Sequence, residues 1–148
     1  VSGGQGAGGI RQGAGEAWFV AEPSSGGPIR RFEDLRVWNE AIALVEAVYD
    51  LTASFPESER FGLTNQLRRA SVSVPSNVAE GWGRGSKSDY VRFLRIARGS
   101  LYEVKTQLVI AERLGFGAPV DVRTAIDMCE PLRRQLQALL SAVERSGN

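Results

Sequence analysis

The sequence predicts an all-α protein, an antiparallel up-down four-helix bundle behind a flexible glycine-rich N-terminal tail. Apolar residues recur at steps of three and four in four segments, and glycine or proline punctuates the short stretches between them. No segment alternates apolar and polar residues as a half-buried strand would. Short connections favour antiparallel neighbours. The 148 residues, 43% hydrophobic and 24% charged, suit one globular domain with a single core. Residues 1–30 are expected to be a disordered tail and residues 31–148 the bundle domain.

The tail is dominated by glycine with scattered serine and proline, so ordering its backbone is entropically costly. Trp18, Phe19 and Val20 interrupt it with an apolar triplet. Helical periodicity starts after Phe32, with Trp38, Ala41, Ile42, Val45, Val48, Tyr49, Thr52 and Phe55 on one face. Asp34 is the expected cap and Pro56 the stop. A second helix runs from about Gly62 to Glu80 with Leu63, Leu67, Ala70, Val74 and Val78 on its face. Pro75 should kink or divide it, with Ser71 and Ser73 placed to satisfy freed backbone groups.

Gly81, Gly83 and Gly85 end that helix, and Ser86 followed by Asp89 forms a capping-box pattern that opens a third. Tyr90, Leu94, Ala97, Leu101, Val104, Leu108 and Ala111 make its regular stripe, which extends to Leu114. A second row of Phe93, Ile96, Ile110 and Leu114 makes the apolar face wider than one neighbouring helix requires. Beyond Gly115, Gly117 and Pro119, the fourth helix follows Val122, Ala125, Cys129, Leu132, Leu136, Leu139 and Val143. Pro131 predicts a kink or break near Glu130.

Several functions are excluded by composition. The chain has no histidine, which removes the usual general base near neutral pH and the commonest metal ligand. Its one cysteine, Cys129, forms no internal disulfide and cannot complete a zinc site. No metal, cofactor or catalytic residue is expected. The Gly81–Ser88 segment lacks the glycine before lysine and the preceding strand of a phosphate-binding loop, and reads as a turn between helices. No apolar run is long enough to cross a bilayer and no secretory leader is apparent, so a cytoplasmic location is expected.

Charge is unevenly distributed although the net value is only +1. Residues 31–59 hold two basic and seven acidic side chains, whereas residues 60–105 hold nine basic and three acidic. Seven of those nine are Arg68, Arg69, Arg84, Lys87, Arg92, Arg95 and Arg98. Positions 84, 87, 91, 95, 98, 102 and 105 form one seam about a third of a turn from the buried stripe, where a partner can reach it. Guanidinium forks suit phosphates, and such binding weakens with salt. Trp82 and Tyr102 are available for base stacking if exposed. The competing reading pairs the same arginines with carboxylates, including those of the acidic first helix, within the subunit or across an oligomer interface.

The Phe32-Glu33-Asp34-Leu35 opening with Trp38, Gln66-Leu67-Arg68-Arg69-Ala70, the run from Val74 to Gly81, Arg92-Phe93-Leu94 and Gly99-Ser100-Leu101-Tyr102-Glu103 occur in order. Together they resemble the bacterial four-helix-bundle family of the 23S rRNA intervening-sequence proteins, which includes the accessory variability determinants of diversity-generating retroelements. The resemblance implies a ring-shaped homopentamer. For retroelement members it implies a basic barrel that binds nucleic acid and partners a reverse transcriptase. It supplies no catalytic residues, and Asn77 with Glu80 reads as a hydrogen-bonded helix bend. The sequence is therefore read as a non-enzymatic homo-oligomer that binds RNA or DNA through the seven basic residues named above. The alternative is a protein-interaction scaffold whose arginines meet acidic partner surfaces.

Overall fold

The computed structural model describes residues 27–146. The expected tail therefore falls mostly outside the described residues, as does the Trp18–Val20 triplet. Four helices follow: α1 (Arg36–Thr52), α2 (Leu63–Gly83), α3 (Lys87–Leu114) and α4 (Pro119–Arg145). Single 3-10 turns at Phe32–Asp34 and Glu57–Glu59 precede α1 and α2. Each helix packs on its chain neighbours and α4 packs back on α1, which places α1 diagonally from α3. The architecture is the all-α four-helix bundle that the periodicity predicts.

The apolar stripes meet in one core. On α3 the whole row from Tyr90 to Ala111 is buried, and on α4 so are Val122, Ala125, Cys129, Leu132, Leu136, Leu139 and Val143. On α1 the buried face is rotated from the expected one: Val37, Ala41, Leu44, Val48 and Leu51 point inward, while Tyr49 is exposed. The second α3 row also splits. Phe93 is buried within the chain, whereas Ile96, Ile110 and Leu114 remain exposed.

Local differences have identifiable causes. Asp34 does not cap α1; its carboxylate accepts from the Arg30 and Arg31 backbone amides and closes the preceding turn. Asn39 instead donates to the Glu33 and Leu35 carbonyls at the start of α1. Helix α1 stops at Thr52, three residues before Phe55, where the Thr52 hydroxyl turns back to the Val48 carbonyl at 2.6 Å. Neither internal proline divides its helix: α2 is continuous through Pro75 and α4 through Pro131. Pro131 is on the solvent side, where water can satisfy the carbonyl its ring leaves unbonded. Ser71 donates to the Arg68 carbonyl, whereas Ser73 reaches across to Ser100 on α3.

Ser86 caps α3 as its pattern requires, accepting from the Asp89 amide at 3.2 Å. At the opposite end, Phe55 and Phe116 close the core with ring centres 5.9 Å apart. The α1–α2 and α3–α4 connections share that end; the α2–α3 turn lies at the other.

Candidate nucleic-acid interface

The seven basic residues occupy three settings. Arg68 is half-buried and turned toward α1, where its Nε donates to Thr52 Oγ1 at 2.8 Å and its guanidinium lies 4.5 Å above the Tyr49 ring. It joins α1 to α2. Arg69, next in sequence, points instead to an exposed groove between α2 and α3 and forms no ion pair among the described residues.

Arg84 and Arg92 flank Phe93 at the corner where α2 turns into α3, with guanidinium carbons 5.0 and 4.5 Å from its ring centre. Each meets one local carboxylate, Arg84 with Glu80 at 3.0 Å and Arg92 with Asp89 at 3.6 Å. Helical spacing of three or four residues brings these pairs together.

Lys87, Arg95 and Arg98 follow the α3–α4 seam. Lys87 donates to the Glu144 and Ser146 carbonyls at the end of α4, where a helix leaves its last carbonyls without an intrahelical donor. Arg95 meets Glu144 at 2.6 Å, and Arg98 donates to Gln137 Oε1 at 2.8 Å. The seam therefore lies against α4 and remains reachable along one side. Because α1 is diagonal to α3, the in-chain carboxylates of this surface come from α2, α3 and α4.

The electrostatic result is an excess of positive charge. Among the described residues, three of the seven cations meet a carboxylate, all in exposed pairs of the kind that contribute about 0–1 kcal/mol. Lys87 and Arg98 bond neutral oxygens and Arg69 stands alone. Of the expected stacking residues, Tyr102 is half exposed at 51%. Trp82 is half-buried, edge-on to Tyr90 at 6.1 Å, so its ring belongs to the packing of the α2–α3 corner.

Other polar groups form structural contacts. Asn77 donates to the Ser73 carbonyl and hydroxyl, and Glu80 pairs with Arg84, so those two residues do not converge. Glu130 holds Arg133 through both carboxylate oxygens; this hydrogen bonding keeps the Glu130 carboxyl below its ordinary range. Burial pushes the Cys129 thiol up to about 11, leaving little thiolate near neutral pH. Among the described residues no group of three or more potential ligands could hold a metal ion, and no helix is long and apolar enough to cross a membrane.

The groove around Arg69 is not among the features the sequence predicts. Asn65, Gln66, Ala70 and Ser73 of α2 line it together with Ser100 and Glu103 of α3. Its signal was present as polar residues at helical spacing, 66, 69 and 73 against 100 and 103. Recognising it required the α2–α3 register.

Residues 33–138 match the family model described as 23S rRNA-intervening sequence protein, so the chain belongs to that family. The fold is similar to the crystal structure of a protein of unknown function from the S23 ribosomal protein family of Bacteroides thetaiotaomicron VPI-5482. That similarity has a TM-score of 0.65 at 16% identity, covering 71% of this chain and 95% of the other. No curated protein matches.

Proposed function

We propose that this protein is a non-enzymatic, nucleic-acid-binding homo-oligomer, a pentamer, that presents RNA or DNA to a second protein such as a reverse transcriptase. The supporting observation is the charge excess on the α2–α3–α4 surface: seven cations against three carboxylates within ion-pair distance among the described residues. Phosphates can add to Lys87 and Arg98 without displacing an anion, and can replace weakly held carboxylates at Arg84, Arg92 and Arg95. Arg69 extends the surface onto α2, while Arg68 adds charge from its position against α1. Tyr102, beside the Arg98 end of the seam, offers an exposed ring for a base.

Self-assembly is supported at the far end of the bundle, where Phe61, Ile110, Leu114 and Val120 are exposed at 83, 42, 59 and 75%. The scaffold reading also has a specific observation in its favour. Glu46 and Asp50 on the outer face of α1 are exposed, and neither forms an ion pair among the described residues. They could meet the basic surface of a neighbouring copy and close a ring head to tail.

Fluorescence anisotropy with labelled RNA and DNA over a salt series tests the proposal. Affinity should fall with a log–log slope of about −3 if some four phosphates contact a single strand. The Lys87→Ala/Arg92→Ala/Arg95→Ala variant should lose most binding and retain its helical circular dichroism. Absence of binding at low salt removes the nucleic-acid reading, and a monomer by light scattering removes the pentamer.

A further inference from the structure

We propose that the groove between α2 and α3 seats one unpaired nucleotide, with its phosphate on Arg69 and an amino-bearing base edge on Glu103. The inference rests on the nucleic-acid reading above and identifies which part of a strand this surface recognises. The groove is an open depression of about 360 Å³, at the small end of ligand sites, which span roughly 300–1,000 Å³.

Its lining is chemically specific. Arg69 and Glu103 border the same groove without forming an ion pair with each other. The side-chain amides of Asn65 and Gln66 beside them make no hydrogen bond to another described residue. Ser73 and Ser100, which also line the groove, leave one hydroxyl proton uncommitted. Ser73 Oγ and Ser100 Oγ lie 2.8 Å apart, and Ser73 Oγ also accepts from Asn77 Nδ2 at 2.9 Å. Two hydroxyl protons therefore share a single serine–serine bond, leaving one to donate into the groove.

A cation, a hydroxyl donor and a carboxylate lining one groove call for a ligand carrying both an anion and N–H donors. A single unpaired nucleotide supplies them. Its phosphate accepts from the Arg69 fork, and an exocyclic amine donates to Glu103. Guanine fits the carboxylate best because its N1–H and amino group can donate to the two oxygens together, whereas uracil has no exocyclic amine. A paired base keeps these groups within the duplex, so the groove selects a single strand.

The test uses the full chain and short labelled oligouridylates, either uniform or carrying one central guanosine, cytidine or adenosine. The guanosine strand should bind about tenfold tighter than uniform oligouridylate, within the discrimination of a bidentate base contact. Glu103→Gln should abolish that preference, and because it removes a carboxylate bordering the same groove as Arg69 it should strengthen rather than weaken uniform oligouridylate binding at low salt. Arg69→Gln should weaken every strand and reduce the salt slope by roughly one phosphate contact. Equal affinity for the guanosine and uniform strands overturns the inference, as does a preference that survives Glu103→Gln. Both outcomes leave nucleic-acid binding intact. If folded protein binds none of the strands at low salt, the reading on which the groove depends fails as well.

Discussion

Gly81 of α2 and Phe93 of α3 approach so closely that a Cβ built on the glycine would lie 2.7 Å from the Cβ of Phe93. Both atoms are fixed to helical backbone, so relief requires the helices to move. The Tyr90 ring, at 3.1 Å, closes another direction. Gly81→Ala should therefore destabilise the protein by roughly 1–3 kcal/mol, even though alanine favours a helix. Gly99 is a control within α3 because an added Cβ there meets nothing within 4 Å. Gly99→Ala should stabilise by about 0.5–1 kcal/mol, the gain in helix propensity. Urea midpoints at unchanged m-value measure both changes.

This close contact also marks the limit of what sequence patterning conveys. The α3 stripe from Tyr90 to Ala111 is legible because a regular 3.6-residue period leaves one face to bury, and that face is buried. Phe93 falls in the second apolar row of α3, and its place beside Gly81 depends on α2, a separate helix. Arginine roles were less legible still. Glu80–Arg84 and Asp89–Arg92 are local pairs whose spacing can be read directly. Arg95–Glu144 and Arg98–Gln137 span 49 and 39 residues, so only the α3–α4 register brings them together.

Arg68 and Arg69 are adjacent in sequence and opposite in role. Removing Arg68 leaves Thr52 without its donor and Tyr49 without the guanidinium over its ring. Arg68→Ala should cost about 1–2 kcal/mol of folding stability. Arg69→Ala should change stability by less than about 0.5 kcal/mol because its side chain is exposed and unpaired. Thermal or urea denaturation of the two variants distinguishes the α1–α2 clamp from the groove residue.

Cys129 gives a pH signature of opposite sign to that of an ion-paired carboxylate. Burial raises its folded-state pKa from an ordinary 9.0 to about 11, so the unfolded chain loses its proton first as pH rises. Its contribution is fully present below the unfolded pKa and declines between about 9 and 11, by at most ~1.4 kcal/mol per pH unit. Cys129→Ala should lower stability at pH 7 through the lost packing, but its stability should fall less steeply from pH 8 to 10 than that of the native chain. Parallel urea melts read the slopes. Thiol reagents should modify native Cys129 only as fast as the bundle opens.

Glu144 competes for the cation that the functional proposal assigns to phosphate. It meets Arg95 at 2.6 Å, with side chains 55 and 40% exposed, so the pair contributes only about 0.2–1 kcal/mol to folding. Its position gives it a larger role in binding, because any phosphate reaching Arg95 must displace or repel this carboxylate. Glu144→Gln keeps the size of the side chain and removes the charge. It should strengthen nucleic-acid binding several-fold at low salt, with the gain declining as salt screens the surface. Arg95→Ala should weaken binding and make the Glu144 substitution much less effective, since the competition between carboxylate and phosphate is then lost. Anisotropy on the native chain, both single variants and the double variant closes this cycle. A full Glu144→Gln gain in the absence of Arg95 would locate the carboxylate's effect elsewhere on the seam.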